Sequence, residues 1–94
     1  MFIIYINFIK PLDQVEPLVP AHRAFLETGY QQNFFVASGP LSPRTGGIII
    51  SHLKDRETLT TFLENDPYNT NQVAEYDIKE FTPVKFHEKF SYFL

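Results

Sequence analysis

Cysteine is missing from all 94 positions, which excludes a disulfide framework, a thiolate metal site and a thiol nucleophile. A reducing compartment, the cytoplasm, is the expected location. Tryptophan is missing as well, so bulk falls to ten Phe and five Tyr, rings that need a deep core or an interface to cover them. Basic charge is thin. Eight Lys and Arg stand against eleven Asp and Glu, scattered so that no stripe forms for a phosphate backbone, and nucleic acid is not an expected partner. Long apolar runs are missing too: MFIIYINFI stops at Lys10-Pro11, too short to span a bilayer. It has no basic lead and no small-residue cleavage site, so it reads as a strand rather than a signal peptide, and no membrane contact is expected. Gly46-Gly47 lacks the Gly-Lys-Ser/Thr of a phosphate loop and reads as a turn. His22, His52 and His87 stand at no metal-binding helical spacing, and neither a metal nor any other cofactor is expected. With no repeat and no low-complexity segment, the 94 residues make one domain, 1–94.

What is present is a set of apolar runs punctuated by Pro, Gly and Asp. Phe34 to Ser51 reads as strand, loop, strand, with Phe34-Phe35-Val36 and Ile48-Ile49-Ile50 leaving no polar face, as central strands covered on both sides would. Phe2 to Ile9 is apolar on both alternating faces and is a third such strand. Between them a helix is expected from about Gln14 to Thr28, opened by Asp13 with Glu16 and stopped at Gly29, its regular part starting at Pro20 if that proline interrupts it. Its stripe is Leu18, Val19, Phe25 and Leu26, with His22 on the same face. Asp55 caps a second helix from about Arg56 to Asn65, buried through Leu59, Phe62 and Leu63 and ended by Asp66-Pro67. Tyr68 to Ala74 has room for one helical turn. Glu75 to Phe86 reads as a last strand interrupted at Pro83, and the aromatic tail from His87 should pack on something. The order βαββαβ is the ferredoxin-like plan, an α+β fold with both helices on one face of a four-stranded antiparallel sheet. Strands apolar on both faces then ask for a cover on the other side, and a second copy packed sheet against sheet, a homodimer, supplies it.

Taken singly, the residues that could carry chemistry have plain readings. His22 is a core imidazole satisfied by one hydrogen bond, or an acid–base group near neutral pH. Asp66 is a helix-ending carboxylate that accepts backbone N–H bonds, or the partner that fixes the tautomer of an imidazole and raises its basicity. Ser38, Gly39 and Pro40 form a strand-ending turn, or a backbone wall beside a ligand. Tyr68 and Tyr5 are core rings, or pocket walls or proton donors, and Arg44 is a solvated loop residue or an anion contact.

Pro20-Ala21-His22 with Phe25-Leu26, Gly29, Ala37-Ser38-Gly39-Pro40-Leu41, Asp66-Pro67-Tyr68 and Tyr76-Asp77-Ile78, in this order and spacing, resemble the YCII-related family. The resemblance implies a ferredoxin-like fold assembled as a dimeric α/β barrel, with a His and an Asp as active pair, here His22 and Asp66. Enzymes of elimination and isomerisation are similar to it. In place of the Arg usual three residues before the His, this chain has Val19. Two functions follow as expectations: a small cofactor-independent enzyme that moves a proton on a small cyclic or oxygenated molecule, or a non-catalytic binding module of the same fold.

Overall fold

The computed structural model describes all 94 residues, and the chain forms a four-stranded antiparallel sheet with helices on one face. Strand β1 (Phe2–Phe8) buries Phe2, Ile4 and Ile6 toward the helices, while Ile3 and Tyr5 lie half-buried on the opposite face. After Lys10, the prolines divide the expected first helix into three: α1 (Leu12–Val15), a 3-10 turn (Glu16–Leu18) that takes Pro17, and α2 (Val19–Gln31) with Pro20 in its first turn. Asp13 lies inside α1 and caps nothing; Pro11 holds the cap position.

Gly29 does not stop α2. The helix runs two residues further, and Asn33 takes the left-handed conformation at φ 61°. Asn33 N–H donates to the Tyr30 carbonyl and Phe34 N–H to the Gly29 carbonyl, both at 2.9 Å, a paired ending that satisfies two orphan carbonyls. Gly29 serves packing instead: a Cβ there would lie 2.3 Å from the Phe35 ring. Phe35, buried, thus reaches the helix axis where no side chain intervenes.

Strand β2 (Phe35–Pro40) is longer than expected and sits at the edge. Ser38, Gly39 and Pro40 are strand residues opposite Ile49, Ile48 and Gly47, not a turn. The order β2-β3-β1-β4 gives β2 one neighbour, so it is not central as its three apolar residues suggest. Phe34 belongs to the helix ending, and a register shift between Phe35 and Ala37 breaks the alternation, which is why the run has no polar face. Strand β3 (Gly46–Ser51) is central, paired with β2 and β1.

Helix α3 (Arg56–Leu63) starts as expected on Asp55, whose carboxylate accepts from the N–H groups of Glu57 and Thr58 and from the Thr58 hydroxyl. Those bonds hold the Asp55 carboxyl below the usual carboxylate range, the Thr58 hydroxyl contributing most. Helix α4 (Pro67–Thr70) is the single turn after Asp66-Pro67, and Gln72, left-handed at φ 56°, ends it with the same pair of backbone bonds as Asn33. Strand β4 (Ala74–Glu80) pairs with β1 and stops before Pro83.

Phe2, Ile4, Ile6, Phe35 and Ile49 from the sheet meet Val15, Leu59, Leu63 and Tyr68 from the helices in one core. Phe62 joins its upper layer, stacked on Phe25 and edge-on to Phe34 and Phe35. Each such fully buried side chain contributes roughly 1.5–3 kcal/mol. On the far face of the sheet Ile3 lies opposite Ile50 and Tyr5 opposite Ile48, while β4 adds Glu75, Asp77 and Lys79, all exposed. The tail ends in a 3-10 helix (Glu88–Phe93) whose Phe93 meets the His52 ring edge-on, with Tyr92 left exposed. No helix is long and apolar enough to cross a membrane.

Candidate active site

Asp66 is fixed first by its neighbour. A residue before proline is held out of the helical region, and Asp66 accordingly has extended backbone (φ −63°, ψ 128°) at the cap of α4. Its side chain turns back into the protein, where it has 0% exposure. Oδ1 accepts the Tyr68 N–H at 3.1 Å and stands 2.8 Å from His22 Nδ1; Oδ2 accepts the Tyr76 hydroxyl at 2.5 Å. The Tyr68 N–H and the Tyr76 hydroxyl thus each donate to one of the two oxygens of this buried side chain. An ionised Asp66 only accepts, so Nδ1 of His22 carries the proton and Nε2 of a neutral ring is left as the basic nitrogen.

His22 comes from the second turn of α2, 8% exposed, its ring stacked on Tyr68 with centroids 3.8 Å apart and planes 8° apart. Phe8 braces Tyr68 edge-on from β1. Clamped by Tyr68 and tied to Asp66, the imidazole cannot rotate freely. Nε2 has no partner in the protein, yet it keeps access to open space: His52 Nε2 is the one buried side-chain polar atom without a partner. The open space is a cleft of about 490 Å³ walled by α2, the 3-10 turn, β1 and the β2–β3 hairpin. That volume suits one small organic molecule.

Of the residues singled out in sequence, His22, Tyr68, Ser38, Gly39 and Pro40 line this cleft, and Asp66 stands behind His22. Ser38 and Pro40, opposite the inward residues Ile49 and Gly47, face the helices; Gly39, opposite Ile48, offers the cleft only backbone. The Ser38 hydroxyl is engaged with the Tyr30 hydroxyl at 2.8 Å. Tyr5 is not in the cleft. It is one position out of phase with Ile4 and Ile6 and lies on the other face of the sheet, against Ile48 and Asp77. Val19 lines the cleft as an apolar wall.

Tyr76, Arg23 and Glu16 belong to the surroundings of the site, and sequence alone assigns none of them a chemical role. Tyr76 had a signal: a Tyr in phase with Ala74 and Ile78 on the inward face of β4 must find an acceptor for its hydroxyl. Burial, then the charge of Asp66, raise its phenol far above the usual range, so it stays a donor. Burial also raises Tyr68, against the opposing pull of Arg44. No group of three or more His, Asp or Glu comes together as a metal site would require.

A family model for the YCII-related domain matches residues 1–82. The chain belongs to the YCII-related domain family. Among solved structures, this YCII-related chain is similar to 5-chloro-2-hydroxyhydroquinone dehydrochlorinase from Burkholderia phenoliruptrix in complex with 2,5-dihydroxybenzoquinone. The TM-score is 0.73 at 22% identity, over 86% of this chain and 92% of that one. At that identity the likeness speaks for a shared YCII fold. No curated protein matches the chain.

Proposed function

We propose that this YCII-related chain is a small acid–base enzyme that moves a proton on a cyclic, oxygenated molecule held in the cleft. The observation that supports it is the pairing of Asp66 with His22 Nδ1 at 2.8 Å, which leaves Nε2 as the free base on the cleft side. Nε2 takes a proton from the ligand, and the imidazolium that forms is stabilised by the Asp66 carboxylate. The proton then returns to another atom of the ligand, which is isomerisation, or the electron pair expels a leaving group, which is elimination. Neither outcome needs a cofactor. The chlorinated hydroquinone in the name of the similar dehydrochlorinase is a ring of the size and kind this cleft would take.

Two further parts go with this reading. The protein acts as a homodimer, a dimeric α/β barrel whose second copy covers Ile3, Tyr5, Ile48 and Ile50, and it works in the cytoplasm, since no group in the site calls for an oxidising compartment.

The test is a panel of hydroxylated and chlorinated hydroquinones and cyclic enolisable ketones followed by proton NMR in D2O. Deuterium incorporation or loss of chloride above background is expected, reduced about 10²- to 10⁴-fold in His22→Gln. Equal behaviour of wild type and His22→Gln across the panel removes the catalytic reading. Binding without reaction would return the chain to the binding module of the same fold.

A further inference from the structure

The cleft is more basic than the chain that builds it. Acidic residues outnumber basic ones eleven to eight over the whole sequence, yet the charged groups lining the cleft are Arg23, Arg44 and Glu16, with no Lys or Asp. Arg23 follows His22 on α2 and pairs with no carboxylate: the ion pairs of the protein are His22 with Asp66, Arg44 with Glu16, and Lys79 with Asp77. An unpaired guanidinium beside a basic imidazole is a standing attraction for an anion. Arg44 enters from the loop between β2 and β3, the opposite wall, and its partner Glu16 belongs to the 3-10 turn before α2. Both side chains of that pair are substantially exposed, at 38% and 52%, so the contact is weak and exchangeable. The two arginines line the same cleft as Tyr68, the residue whose ring stacks on His22. Ile6, Phe8, Val19 and Leu26 make the remainder of the wall apolar.

We propose that Arg23 and Arg44 form an anion-recognition rim beside His22, so that the ligand is a flat ring bearing a carboxylate or an equally acidic enolate oxygen, and that Glu16 holds Arg44 until this anion displaces it. The inference rests on the acid–base reading of His22 and adds the class of substrate. An apolar slot takes the ring, while planar guanidinium groups meet two oxygens side by side as an ammonium cannot. When His22 removes a proton, the same charges stabilise the enolate that develops.

The probes are 4-hydroxybenzoate and its neutral isostere 4-hydroxybenzamide, titrated into the full chain at low salt and followed by amide NMR shifts. The benzoate is expected to bind about tenfold or more tightly than the amide. Arg23→Gln and Arg44→Gln should each shrink that ratio, and Glu16→Gln should strengthen benzoate binding by about twofold to fivefold. All three side chains are exposed enough for the variants to keep the fold. Equal affinity for the two probes, no measurable binding of the benzoate, or a ratio unmoved by both arginine variants overturns the rim. Unchanged or weaker binding in Glu16→Gln overturns the displacement of Glu16. Charge preference without His22-dependent exchange would remove the acid–base reading and leave the rim; exchange without charge preference would do the reverse.

Discussion

Removing the hydroxyl of Tyr76 takes one of three donors from a carboxylate that has no access to water. Tyr76→Phe keeps the ring, so the loss reports that bond, and it should lower stability by about 1–3 kcal/mol in denaturant unfolding. The effect depends on pH in a determined sense. Tyr76 has a phenol raised in the folded state, so its contribution is complete below about pH 10, the unfolded value, and declines as pH rises beyond it. The gap between wild type and Tyr76→Phe should therefore narrow above about pH 10; a gap that widened there would show that the hydroxyl does not serve Asp66 as a protonated donor. Asp66→Asn tests the other side of the same carboxylate. Nitrogen NMR of the neutral wild type should find His22 protonated at Nδ1, because an ionised carboxylate can only accept. The Asn amide can donate to Nδ1 instead, so the tautomer balance should move toward Nε2–H. A balance that stays where it was would leave His22 as a packing residue.

Elements meet most closely where α2 crosses β2. Gly29 in a helix interior normally costs about 0.8–1.0 kcal/mol relative to Ala, and at an ordinary position Gly→Ala would stabilise. Here the added methyl would sit 2.3 Å from a buried Phe35 ring. Overpacking of this kind costs about 1–3 kcal/mol, so Gly29→Ala should lower Tm rather than raise it. Gly39 is the contrast. A Cβ built on it meets nothing within 4 Å, and Gly39→Ala should leave Tm unchanged. A thermal melt of both variants decides the matter: equal shifts would mean that the crossing is looser than its geometry.

At the scale of the whole molecule, the far face of the sheet carries an apolar patch. Ile3, Tyr5, Ile48 and Ile50 lie side by side on β1 and β3, bordered by the charged residues of β4. A dimer closed over this patch should give light scattering of about twice the 11.0 kDa chain mass at micromolar concentration, and Ile48→Lys should return it to one chain. A wild type that scatters as one chain removes the dimer and leaves the cleft to a single protomer.

Legibility in the sequence followed the range of the interaction concerned. Local chemistry was decided along the chain: Asp55 before α3, Asp66 held extended by Pro67, prolines cutting the first helix, and an alternating β1. These depend on a residue and its near neighbours, and the βαββαβ order follows from them. What depended on a distant partner was decided only by tertiary structure. Gly29 carried the signal of a helix stop, yet Phe35 across the packing gave it another role, and the stop passed to Asn33. The apolar run at Phe34 suggested a central strand, because a helix ending and a register shift write the same letters as burial on both faces. His22 and Asp66 could be singled out by residue type and resemblance, but their 2.8 Å contact, the Tyr76 hydroxyl behind it and the arginines around the cleft required the helices to dock on one face of the sheet. Composition and spacing determine which side chains are available; only the docking of α2, α4 and β4 determines which of them a buried carboxylate finds, since no interaction along the chain spans that separation.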